Sequence, residues 1–151
     1  MQFGVQYKSL KLVDFKEEML EAVGNSGREG RLTIDASVGV QKETKILTAK
    51  ILVEIFTGSE DAEEASVFVG LISTQSDFTL TNWDEIVKNL EGGKYDVPDE
   101  LQANLIRIAY DTTRGMLRVK AQGNILQNIL LPVFNPLGYV KAKRDEINRG
   151  K

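Results

Sequence analysis

The chain changes character near residue 81, from apolar residues that alternate with polar ones to apolar residues that recur at helical spacing. Residues 3–14 alternate loosely through Phe3, Val5 and Tyr7 and continue with Leu10, Leu12 and Phe15, which predicts a first strand followed by a turn. In residues 16–30, Met19, Leu20 and Val23 precede the run GNSGREG, whose glycines predict a long irregular or partly helical crossover. Leu32, Ile34, Ala36, Val38 and Val40 then alternate with mostly polar or small neighbours, the pattern of a strand with one buried face. Between Ile46 and Thr57, Ile51, Val53 and Ile55 occupy one face and Leu52 and Phe56 the other, so this strand is expected at the centre of the sheet. The acidic run GSEDAEE reads as a turn, and residues 65–80 resume β character with Val67, Val69 and Leu71 opposing Phe68 and Ile72. The last two strands should form an antiparallel hairpin.

After Thr81, Trp83, Ile86, Val87 and Leu90 predict a short helix ending at Gly92–Gly93. A longer helix follows, with Asp96 as its cap, Pro98 in its first turn, and Asp99 and Glu100 at the positive end of its dipole. Leu101, Leu105, Ile108, Ala109, Thr112, Met116 and Val119 make one stripe suited to covering the sheet. A second stripe of Ile106, Tyr110 and Leu117 is left either for a subunit interface, as in a homodimer or tetramer, or for a larger core within one chain. Gly123 is a plausible stop, and the extended segment after it must leave the sheet or run along an edge at Pro132, which cannot donate to a ladder. Residues 136–151 read as a charged tail that could form a short helix with little to bury. The whole is expected to be one α+β domain spanning residues 1–151.

Composition narrows the chemistry. The chain has neither cysteine nor histidine, which removes thiolate nucleophiles, the commonest zinc ligands and the side chain best suited to proton transfer near neutrality. No glycine-rich turn has the spacing of a phosphate loop, and the carboxylates of Asp61, Glu63, Glu64, Asp99 and Glu100 are accounted for by turns and a helix start. No enzyme, metal or cofactor is therefore expected. The net charge is −3; the tail is +3, leaving −6 elsewhere, a body that repels phosphate and disfavours nucleic acid. The absence of a long apolar run argues against membrane insertion and for a cytoplasmic protein.

The run GNILQNILLPV at residues 123–133, with Gly123, Gln127, Leu130, Pro132 and Val133 at matching positions, is similar to the stretch after the long helix in SecB proteins. DFTL, with Phe78 near the end of the last long strand, and the order of elements over about residues 3–134 resemble the same family of cytoplasmic export chaperones. The resemblance implies a four-stranded antiparallel Greek-key sheet with a short and a long helix on one face. It also implies a dimer of dimers whose long helices pack together, and apolar grooves that bind extended, non-native polypeptide. Two departures argue against docking to the export motor SecA: Leu71 stands where SecB carries one of its acidic docking residues, and the tail is basic instead of acidic. SecB-like proteins outside export, including chaperones dedicated to toxin–antitoxin pairs, fit those departures better.

Met19, Leu20, Phe78, Leu80, Trp83 and Ile86 flank the irregular segments, where apolar residues are harder to bury, and are the candidates for a client groove; the competing assignment is ordinary core. Trp83 carries the same pair of readings, a groove wall or a pin between short helix and sheet. Two functions remain open: a chaperone or holdase for non-native polypeptide, with either many clients or one, and an oligomeric adaptor that uses the same fold to bind one folded partner.

Overall fold

The computed structural model describes residues 3–17, 30–57, 67–122 and 131–150. Four strands, β1 (Val5–Glu17), β2 (Gly30–Gln41), β3 (Ile46–Thr57) and β4 (Val67–Leu80), form one antiparallel sheet in the order β1-β4-β3-β2. That order is a Greek key in which β1 returns beside β4, and β3, with apolar residues on both faces, lies in the interior as its pattern requires. The crossover and the GSEDAEE turn lie outside the described residues.

Register assigns the faces. Leu47, Ala49, Ile51, Val53 and Ile55 of β3 are buried on one face, opposite Val40, Val38, Ala36, Ile34 and Leu32 of β2. Ile72, Thr74, Ser76 and Phe78 of β4 continue that face. A register shift pairs Ile55 with Gly70 but Phe56 with Phe68, leaving Val69 as the extra residue of a bulge. This bulge explains why the expected grouping of Val69 with Leu71 fails: Val69 is buried, and Leu71 faces the other way from Ile72.

The helical half departs further from its pattern. The first helix, α1 (Trp83–Ile86), is a single turn; the chain then forms a small antiparallel hairpin of β5 (Lys88–Asn89) and β6 (Tyr95–Asp96). Leu90 is exposed instead of lying on a helical stripe. Gly92 and Gly93, at φ +77° and +75°, make the turn of this hairpin and do not stop a helix, a conformation that favours glycine. The long helix α2 (Asp99–Lys120) is present, but its N-cap is Pro98, and Asp96 faces Arg144 instead of capping.

The rotation of α2 also differs from expectation. Its most buried row is Leu101, Leu105, Ala109, Thr113 and Leu117, where Thr113 meets Thr74 of β4 through a 2.7 Å hydroxyl–hydroxyl bond and donates to the carbonyl of Ala109. Ile106 and Tyr110 are buried as well, because the chain after α2 folds back over them. The Tyr110 hydroxyl donates to the carbonyl of Pro132, and its ring meets Phe134 edge-on at 4.6 Å. The second stripe of Ile106, Tyr110 and Leu117 is thus interior to one chain, and the argument that a monomer leaves it uncovered fails. Ile108, Thr112 and Met116, assigned above to the sheet side, are only partly buried, and Val119 is 66% exposed.

The charged tail forms the helix that its sequence allowed, and Val140 is its buried residue. Residues 136–149 form a regular helix, α3 (Pro136–Arg149), capped by the Asn135 side chain accepting from the Gly138 N–H, and it docks on α2 and the edge of β2.

Candidate polypeptide-binding surface

The six groove candidates do not come together as an open wall. Phe78 is fully buried, with Tyr7 of β1 packed edge-on against it at 5.0 Å. Trp83 is 8% exposed and Ile86 is buried, and both belong to the core cluster. Leu80 is partly buried against the same core, and Met19 and Leu20 lie outside the described residues. The segment joins there by close approach: the Thr81 N–H donates to the Gly4 carbonyl at 2.9 Å, and a Cβ on Gly4 would fall 1.9 Å from the Thr81 hydroxyl. Of the motif residues, Pro132 and Val133 are exposed, while Gly123, Gln127 and Leu130 are outside the described residues.

Among the described residues, a cleft lies between β2, α2 and α3, with a volume of about 410 Å³. Val38, Ile106, Val140 and Ile147 supply apolar lining, and among the described residues Lys143 and Arg144 are its charged lining residues. Its closed end is built around Ala36. The Ala36 N–H donates to the Tyr139 hydroxyl at 2.9 Å, and the Ala36 carbonyl accepts from Lys143 Nζ at 3.1 Å. The Tyr139 hydroxyl donates to Asp35 Oδ1 at 2.9 Å, and Lys143 Nζ reaches the same oxygen at 2.8 Å. Arg144 Nη2 pairs with Asp99 at 2.8 Å and Asp96 at 3.4 Å, tying α3 to the start of α2. Sequence reasoning missed this node because periodicity registers apolar faces, whereas α3 is held chiefly by a hydroxyl, an ammonium and a guanidinium acting on backbone and carboxylates.

Charges in the node reinforce one another. The Lys143 hydrogen bond, ahead of the opposing effect of burial, holds the Asp35 carboxyl below the usual carboxylate range. Burial works against the Lys143 ammonium, but its bonds to Asp35 and Tyr139 outweigh that and hold its pKa above the ordinary lysine value. Tyr110, away from the cleft mouth, is pushed up by burial.

The helix-free face of the sheet is mixed. Lys16, Leu71 and Glu54 lie in one register row and Lys11, Gln75 and Lys50 in another, while Thr48 donates to Asp77 at 2.8 Å and Gln41 to Thr48 at 3.0 Å. Among the described residues no group of three or more acidic side chains is arranged to hold a metal, and no helix is long and apolar enough to cross a membrane.

No family model matches the chain, and no curated protein matches its sequence. Among solved structures, the SecB-like chaperone of Mycobacterium tuberculosis, in complex with a ChAD peptide from the HigA1 antitoxin, is similar over 86% of this chain and 89% of that one, at 16% identity and a TM-score of 0.57. A protein of unknown function from Streptococcus agalactiae is aligned over 88% of this chain and all of that one at 13% identity, but its TM-score of 0.29 carries no argument. The four-stranded antiparallel sheet, the helices laid on one of its faces and this likeness together show an α+β protein with the SecB-like fold.

Proposed function

We propose that this protein is a SecB-like chaperone or holdase that binds non-native polypeptide and performs no catalysis. The observation that carries the reading is the likeness along nearly the whole chain to a SecB-like chaperone solved with a peptide. A cleft with an apolar lining, open beside a sheet edge, is suited to extended chain. SecA docking is not part of this reading, since Leu71 and the lysine-containing rows replace an acidic platform.

Assembly belongs to the same proposal, through a different stripe. Ile108, Thr112, Met116 and Val119 follow one another along the open flank of α2, and Gly115 between them has nothing within 4 Å of an added Cβ. A second copy packing its own α2 there would cover this stripe as a homodimer, and two such pairs would make a tetramer. The functional reading is tested by asking whether the purified protein keeps several unrelated, chemically denatured proteins from aggregating at stoichiometric ratios. Suppression of at least one is expected, and a protein that ignores all of them while binding a single folded partner is an adaptor instead.

A further inference from the structure

An edge strand with an open ladder is a surface on which the same strand of another copy can pair, and folded proteins keep such edges closed. In an antiparallel ladder, alternate residues turn both peptide groups away from the neighbouring strand. Ala36 is one of these in β2, since its N–H and carbonyl meet α3. The unbroken register of β2 with β3 places Leu32, Ile34, Val38 and Val40 in the same phase. Among the described residues, nothing bonds to the outward groups of those four. The contact with α3 therefore falls near the middle of an otherwise open edge.

This edge is matched to itself. Two copies of β2 brought together antiparallel, with Ala36 facing Ala36, overlap along almost the whole strand. Ile34 then lies opposite Val38 and Leu32 opposite Val40 on the helix-bearing face, pairs of apolar side chains that suit a sheet. On the other face Asp35 falls opposite Ser37, Thr33 opposite Gly39 and Arg31 opposite Gln41, so no like charges meet.

The obstacle is α3. Two facing Ala36 residues would exchange both of their peptide hydrogen bonds, and α3 takes both groups. The Tyr139 hydroxyl, 2.9 Å from the Ala36 N–H, stands where an incoming carbonyl oxygen would, and Lys143 Nζ, 3.1 Å from the Ala36 carbonyl, stands where an incoming N–H would. The two side chains are one helical turn apart on the same face of α3, and Asp35 Oδ1 accepts from both, at 2.9 and 2.8 Å. What is left on either side of the block is a pair of outward residues, Leu32 with Ile34 and Val38 with Val40, too short a run for a stable strand pair.

We infer that Tyr139 and Lys143 guard β2, holding closed a latent surface whose partner is the β2 strand of a second copy. The inference does not depend on the chaperone reading.

The test removes the guard and leaves α3 in place. Tyr139→Ala with Lys143→Ala clears both side chains, while buried Val140 and the Arg144–Asp99 pair still hold the helix to the rest of the chain. All proteins carry Val119→Lys, at an exposed position, so that packing through α2 does not enter the mass. In light scattering at rising concentration the truncated protein should reach twice the mass of its Val119→Lys parent, and amide exchange at Ile34 and Val38 should slow by at least about tenfold as it does so. Adding Val38→Pro, which deletes an outward N–H at an edge, should return the parent mass. Tyr139→Phe with Lys143→Met, which keeps the ring against Phe134, should show the same doubling at higher concentration and serves if circular dichroism shows that the alanine pair unfolds. An unchanged mass in folded variants, a doubling that leaves Ile34 and Val38 unprotected, or a doubling that survives Val38→Pro overturns the inference. So does a variant that keeps the parent mass yet gains protection at Ile34 and Val38 only when reduced, carboxymethylated lactalbumin is added, since the edge would then serve foreign chain.

Discussion

The two flanks of α2 carry similar sequences and have opposite fates. On one, Tyr110 is covered by Pro132 and Phe134, and Ile106 is buried at the floor of the cleft beside α3; on the other, Ile108 and Met116 are only partly buried and Val119 is exposed. Apolar periodicity identifies a helix with more than one apolar flank, but which flank is interior depends on where the remainder of the chain folds back. The open flank is the one available to a second copy.

The sharpest way to break this comparison is to charge one residue on each side. Leu117→Asp buries an unpaired carboxylate in the core and should cost more than about 4 kcal/mol, enough to prevent folding. Val119→Lys, two residues on but exposed and near the negative end of the helix dipole, should change stability by less than about 0.5 kcal/mol while reducing the proposed homodimer or tetramer to 16.8 kDa monomers in light scattering. Equal stability effects would show that the flanks have been misassigned.

Trp83→Ala tests the other relocation. Losing a buried indole should cost about 3–5 kcal/mol in urea unfolding, and the native emission should be blue and unmoved by unfolded client. Next in size is the hydroxyl pair that joins α2 to the sheet. Thr74→Val or Thr113→Val alone leaves a buried partner without its bond and should cost about 1–3 kcal/mol, whereas the double substitution should cost less than the sum of the two.

All four strands, the central place of β3 and the existence of α2 were legible, because each rests on many residues repeating one period. The rotation of α2 was not, since Thr113 is polar yet lies in its most buried row, satisfied by Thr74. Similarly, the short hairpin after α1 hid behind Leu90, whose spacing suits a helix although glycine conformations turn the chain instead. The cleft depended on α3, whose anchors Tyr139, Lys143 and Arg144 read as solvated side chains until their backbone and carboxylate partners are in view.

The smallest expected effect sharpens the contrast between the anchored helix and the core. Asp35 has a depressed folded-state pKa, so its contribution is present above the unfolded carboxylate value and is lost as pH falls through the folded one. Lys143 has a raised pKa, so its contribution is present below the unfolded lysine value and is lost as pH rises through the folded one. Both side chains are well exposed, so Asp35→Asn should remove only about 0.2–1 kcal/mol. In that variant the acid limb of the urea-unfolding profile should flatten, and amide exchange at Ala36 should quicken while that of β3 is unchanged.

The central claim, that this fold serves to hold non-native chain, is tested most directly by sedimentation with a permanently unfolded polypeptide, reduced and carboxymethylated lactalbumin, against the same protein in its native, disulfide-bonded form. The account predicts a complex with the unfolded form and none with the native one, unaffected by added metal or nucleotide. No complex with the unfolded form, or equal binding to both, would contradict it.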